Sequence, residues 1–334
     1  MLSRCLLCLG ALVAQSIALP SHQRPFGMAA TAAAAADDDD DTPLPLIIWH
    51  GLGDSYGNKG LQEVAALAEE VNPGTLVYLV KQGSDANADQ RATFFGNLND
   101  QVDQLCSDLA ADPIISTAPA VDALGFSQGG QFLRAYVERC NFPPVRSLVT
   151  FGSQHNGITE FNECSPTNFL CKGAMALLRG NVWSSYVQHN LVPAQYFRPT
   201  GSEADYESYL DNSNFLADIN NEGGDKNPAY KRNLARLENL VLYMFEEDKT
   251  VIPKETSWFS EVNGTEVTPL RRRSIYEEDW IGLKELDRNG GLKFRVAPGE
   301  HMQLEVELLN STFREFYGPY KKTFSRDVMI EDEL

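Results

Sequence analysis

The chain has 334 residues, enough for one large domain carrying an insertion, and 43% of them are hydrophobic, so a sizeable core can be buried. Its 46 acidic residues outnumber 28 basic ones, for a formal net charge of -18. A surface of that sign repels phosphate backbones, which argues against nucleic-acid binding.

In chain order, residues 1–18 read as a signal peptide. Arg4 supplies a positive start, Cys5 through Ala14 are apolar, and the small Ser16 and Ala18 allow cleavage after Ala18. As a membrane anchor the apolar run falls short of the roughly 20 residues a bilayer requires, and no later segment offers a transmembrane run. Residues 19–43 are Ala-rich and then carry five consecutive aspartates, Asp37 to Asp41. Such a leader cannot bury enough apolar surface to offset its ordering entropy and is expected to be disordered.

From Leu44 onward, short apolar runs recur: Leu46–Trp49, Thr75–Val80, Val121–Gly125, Ser147–Phe151, Leu240–Phe245 and Lys293–Val296. These are expected to be buried strands. Helical spacing lies between them at Gly60–Glu70, Leu98–Leu109 and Gly129–Arg139. Strands alternating with helices predict a mostly parallel sheet covered on both faces. The rhythm breaks after Phe151. Helical stretches at Ala174–Arg179, Val182–His189, Asp205–Leu210, Phe215–Ile219 and Pro228–Glu238 then follow without a strand. About 153–238 is therefore expected to be an inserted cap, whose apolar side chains either form its own core or line an acyl-chain site. The domain is expected to run over 44–320, with a tail over 321–334.

The most informative motif is Gly125-Phe126-Ser127-Gln128-Gly129, a G-x-S-x-G that follows an apolar run and opens a helical one. A sharp strand-to-helix turn needs small residues around the serine, and it lifts the hydroxyl clear of the sheet. Ser127 is the candidate nucleophile, and it needs a base. Of five histidines, His22 lies in the leader, His50 precedes Gly51-Leu52-Gly53 after the first strand, His155 comes too early, and His189 lies in the cap. His301, after the last strand, remains. Ser, Asp, His is the order of the α/β-hydrolase fold, which is the expected fold class. The acid should follow a strand between Ser127 and His301. Asp248 fits, and on position alone Glu246 and Glu247 compete with it. The oxyanion hole needs two backbone amides. Gln128, after the nucleophile, is one candidate; Leu52, in the glycine loop after the first strand, is the other. This chemistry needs no metal and no organic cofactor.

With Cys5 and Cys8 lost to the signal peptide, Cys106, Cys140, Cys164 and Cys171 remain, an even number that suits disulfides in an oxidising compartment. Four cysteines allow three pairings; a short loop between Cys164 and Cys171 would leave Cys106 with Cys140. Asn263-Gly264-Thr265 and Asn310-Ser311-Thr312 are glycosylation sequons. The terminal Glu331-Asp332-Glu333-Leu334 reads either as an endoplasmic-reticulum retrieval signal or as an acidic tail.

Gly125-Phe126-Ser127-Gln128-Gly129-Gly130-Gln131-Phe132-Leu133-Arg134 resembles the nucleophile segment of the palmitoyl-protein thioesterase family. His50–Ser55 resembles its oxyanion loop, with Leu52 where animal members carry Met. Phe215–Asn220, Gly282–Asp287 and Gly299–Leu304 match further blocks in order, from about Leu44 to about Tyr320. The adjacent cysteine pair of the animal enzymes is replaced here by Tyr56-Gly57-Asn58. The resemblance implies Ser127, Asp248 and His301 as the triad, its register through Pro253, Trp258 and Phe259 selecting Asp248. It also implies disulfides Cys106–Cys140 and Cys164–Cys171.

The function implied is removal of long-chain fatty acyl groups from S-acylated cysteines of proteins or peptides. A lipase, oxygen-ester or acyl-CoA hydrolase with the same triad is the alternative, and a non-catalytic secreted lipid-binding protein a further one. The expected location is the secretory-pathway lumen, with lysosome or vacuole ahead of endoplasmic reticulum or outside.

Overall fold

The computed structural model describes residues 42–161, 169–178 and 181–326. The expected signal peptide, the leader up to residue 41, Cys164 with its expected bond to Cys171, and the Glu331–Leu334 terminus lie outside the described residues.

β1 (Leu46–Trp49) leads through α1 (Lys59–Val71) to β2 (Val77–Leu79). α2 (Ala86–Ala92) and α3 (Leu98–Ala111) follow, then β3 (Val121–Phe126), α4 (Gln128–Arg139) and β4 (Val145–Phe151). The insertion carries α5 (Phe169–Leu178), α6 (Ser185–Asn190), α7 (Glu203–Asn212), α8 (Leu216–Ile219) and α9 (Pro228–Leu234). β5 (Asn239–Phe245), a hairpin of β6 (Glu261–Asn263) and β7 (Glu266–Thr268), α10 (Ser274–Glu277), α11 (Leu283–Arg288), β8 (Leu292–Ala297) and α12 (Val306–Phe316) complete the chain.

All six apolar runs singled out in the sequence become strands of one six-stranded sheet, in the order β2-β1-β3-β4-β5-β8. Every pairing in it is parallel. Alternation within the strands divides the core. Leu46, Ile48, Leu124, Val149, Val241 and Tyr243 pack with α1 and α12. Ile47, Trp49, Val121, Ala123, Leu148 and Leu242 pack with α3 and α4 on the other face. Such two-sided burial explains why the runs are continuously apolar.

α4 is buried from Gln128 to Glu138 because the insertion covers it. The Phe215 ring stands edge-on to Phe132, 5.9 Å between centroids. Arg134 donates to Glu138, to the Ile219 and His155 carbonyls and to Asn220, fastening α8 to the nucleophile helix. α9 also packs on α4. A disulfide joins Cys106 on α3 to Cys140 at the end of α4.

The chain stays in contact with the domain past Tyr320. Arg146, paired with buried Asp122, also donates to the carbonyls of Gly318, Pro319 and Tyr320. Its guanidinium lies over the Phe324 ring. Lys293 donates to the Ser325 carbonyl, and Lys322 to those of Arg314 and Tyr317.

Candidate active site

The order of strands reverses about β1, whose neighbours are β2 and β3. Carboxyl ends of parallel strands flanking such a reversal open a crevice. His50–Asp54 leaves β1 there, and Ser127 leaves β3.

Ser127 has φ 51° and ψ -125°, a strained conformation for a residue with a side chain. Its amide donates to the Phe151 carbonyl at 2.8 Å, which holds the turn. Only glycines fit around it. A Cβ on Gly125 would lie 2.1 Å from the Gly130 Cα, and one on Gly129 would lie 2.3 Å from the Trp49 carbonyl oxygen. Ser127 stands at the N-cap of α4, yet its hydroxyl caps no helical amide. It lies 3.1 Å from His301 Nε2 instead.

His301 Nδ1 donates to Asp248 Oδ2 at 2.7 Å. Asp248 Oδ1 accepts from the amides of Thr250 and Val251, so this carboxylate is satisfied and oriented by its own turn. Asp248 is buried, whereas Glu246 and Glu247 are exposed. Their amides bind the carbonyls of Ala297 and Gly299, locking the β5 turn to the loop that carries His301. Gly152, at φ 56°, gives the imidazole room: a Cβ there would lie 3.0 Å from its Cε1. Ser127, His301 and Asp248 are thus brought into one hydrogen-bonded chain.

Among the described residues, no acceptor receives the backbone amides of Leu52 or Gln128. A buttress that sequence reading missed holds the Leu52 loop. His50 Nε2 bonds Asp89 Oδ2 at 2.8 Å, and the same carboxylate accepts from the amides of Tyr56 and Gln82. Burial pushes the Asp89 carboxyl up, and the bonds from His50, Gln82 and Tyr56 outweigh it, leaving it below its ordinary value. The Gly53 amide donates to Thr93 Oγ1, and Gln90 Nε2 donates to the Gly53 carbonyl. Gln128 is braced through its side chain, which accepts from the Tyr196 hydroxyl at 3.1 Å. His155 is structural. It is stacked on Phe259 and bonded to Thr150, and burial, with Arg134 nearby, keeps its imidazole well below the usual range and neutral.

A cavity of about 860 Å³ opens beside Ser127 and His301. Ile158, Phe161, Met175 and Tyr196 of the insertion line one part, and Leu61, Val64 and Leu67 of α1 with Leu304 and Leu309 line another. Its charged lining residues are the acidic Asp54, Glu63 and Glu70. Asn263 sits exposed at the tip of the β6/β7 hairpin, and Asn310 lies half-buried within α12. Among the described residues no group of three His, Cys, Asp or Glu could hold a metal, and no helix is long and apolar enough to cross a membrane.

An elbow serine at the reversal point of a parallel sheet, met by an imidazole and a carboxylate from the last two strands, marks a serine hydrolase of the α/β-hydrolase class. Residues 45–301 match the family model described as palmitoyl protein thioesterase, and the chain belongs to that family. It is 37% identical over 279 residues to palmitoyl-protein thioesterase 1 of Caenorhabditis elegans, covering 82% of this chain and 92% of that protein. Identity is also 37% over 265 residues, 78% of this chain, to a palmitoyl-protein thioesterase–dolichyl pyrophosphate phosphatase fusion of Schizosaccharomyces pombe, of which 41% is covered. A lysosomal thioesterase PPT2 of Bos taurus is 27% identical over 255 residues, 74% of this chain and 77% of that protein.

Proposed function

We propose that the protein removes palmitoyl and similar long acyl groups from S-acylated cysteines of proteins or peptides by a two-step acyl transfer. The observation that carries this reading is the Ser127–His301–Asp248 hydrogen-bonded chain opening into a largely apolar cavity of about 860 Å³. His301 takes the proton as Ser127 Oγ attacks the thioester carbonyl, and Asp248 holds the imidazole in the required tautomer. The amides of Leu52 and Gln128 receive the developing oxyanion. The thiolate leaves readily, since a cysteine thiol has a pKa of about 8.5. Water activated by His301 then releases the fatty acid.

Acyl-CoA hydrolysis is the alternative within this mechanism. The carboxylates of Asp54, Glu63 and Glu70 along the cavity favour a peptide over the polyphosphate of coenzyme A. The relatives named lysosomal, with the N-terminal segment, support a secretory-pathway location with the lysosome foremost. The exposed hairpin at Asn263 suits a glycan, and Asn310 is the second acceptor proposed.

The test is hydrolysis of S-palmitoyl peptide and palmitoyl-CoA, side by side, by wild type and Ser127→Ala. The variant is expected to bind peptide and to lose turnover by about 10⁴-fold or more. Turnover retained in Ser127→Ala would remove the basis of the proposal.

A further inference from the structure

Beyond the triad, one buried polar side chain on the cavity wall has no hydrogen-bond partner among the described residues. Gln154 lines the cavity and is 3% exposed. The other polar lining residues are placed differently. Asn58, Glu63, Glu70 and Thr250 are exposed, half-buried Asp54 accepts from the Ser55 amide, and Tyr196 is spent on Gln128. No described residue bonds the Gln154 side-chain amide, and its Oε1 is buried without a partner. Its backbone, by contrast, is fixed: the carbonyl accepts from Gln131 Nε2 at 2.6 Å and from the Gly157 amide at 2.9 Å. Beside it, Ser153 Oγ and Gln131 Oε1 are also buried and unpartnered. A buried polar group left unbonded is costly, so such a side chain on a cavity wall marks a place where ordered water or a ligand bonds. The segment also runs past the catalytic pair. The Phe151 carbonyl holds the Ser127 amide, Gly152 abuts the His301 ring, and Gln154 follows two residues later.

We propose that Gln154 is a positioning residue that holds the water which hydrolyses the acyl-enzyme. This rests on the thioesterase reading above and deepens its second step. The water bonds the Gln154 amide and His301 Nε2. His301 takes one of its protons as its oxygen bonds to the acyl carbon. The bond from that carbon to Ser127 Oγ breaks, Oγ recovers the proton from His301, and the fatty acid leaves. Acylation needs no water and does not depend on Gln154.

Gln154→Leu tests this, since it keeps the volume and sacrifices no side-chain hydrogen bond to a described residue. The full chain is mixed with p-nitrophenyl palmitate in a rapid-quench instrument, and intact mass is read during turnover. A burst of about one equivalent is expected at the wild-type acylation rate, with steady-state turnover down roughly 10- to 100-fold and a palmitoyl adduct accumulating. Gln154→Asn should recover part of the loss. Unchanged turnover without an adduct would overturn the proposal, as would equal losses in burst and steady state, which would assign Gln154 to substrate or oxyanion binding. The wider reading fails separately, through turnover retained in Ser127→Ala.

Discussion

At the residue scale, the acid shows what spacing leaves open and three dimensions close. Glu246, Glu247 and Asp248 all follow β5, and pattern alone does not separate them; the register of the family resemblance selects Asp248. The side chain that reaches His301 Nδ1 is that of Asp248, while its two neighbours contribute backbone bonds to the β8 loop. Asp248→Asn is expected to lower kcat by about 10⁴-fold with little change in KM, because the amide favours the wrong imidazole tautomer. Glu247→Gln should stay within a few-fold of wild type in the same assay. Ser127 and His301 were legible because the elbow motif and elimination among five histidines each leave one candidate. Gln154 was not, since a glutamine in a loop carries no pattern that marks it as facing a cavity.

At the element scale, the sheet was readable because two-sided burial writes itself as uninterrupted apolar runs. α2 was not. Its sequence, Ala86-Asn87-Ala88-Asp89-Gln90-Arg91-Ala92, has no apolar stripe, and its buried residue is Asp89. The helix acts through polar contacts with the Leu52 loop, which periodicity cannot reveal. The short, mostly exposed β6/β7 hairpin was equally silent. α12 does carry a signal, with Leu309, Phe313 and Phe316 spaced to pack on the sheet. The structure gives α2 a task that can be measured. Thr93→Val removes the acceptor of the Gly53 amide, so the Leu52 loop, the proposed source of an oxyanion-hole amide, loses a support. A fall in kcat of roughly 10-fold at nearly unchanged KM is expected, with a thermal midpoint within a few degrees of wild type. A loss confined to KM would show that the loop does not depend on this contact.

At the scale of the whole molecule, buried carboxylates link stability to pH. Burial raises Glu138 from its ordinary 4.5 to about 7, partly offset by Arg134, and raises Asp122 to about 7 against the pull of Arg146. Between about 4.5 and 7 the folded protein therefore holds a proton on Glu138 that the unfolded chain releases. Its contribution is fully present below 4.5 and is lost as pH rises through 7. Thermal midpoints measured from pH 4.5 to 7.5 should fall less steeply with rising pH in Glu138→Gln than in wild type. An unaltered slope would mean that Glu138 does not titrate in this window. The Arg146 clamp has a practical consequence for anyone shortening or tagging this chain. Cutting after Tyr317 would strip three carbonyls from a guanidinium that is 3% exposed, leaving Asp122 to hold it without the chain that now closes over it. Such a truncation should lower the urea midpoint by an amount equivalent to a few kcal/mol, since each hydrogen bond from a charged donor contributes about 1.5–3 kcal/mol. An affinity handle fused there would carry that deficit into every later measurement.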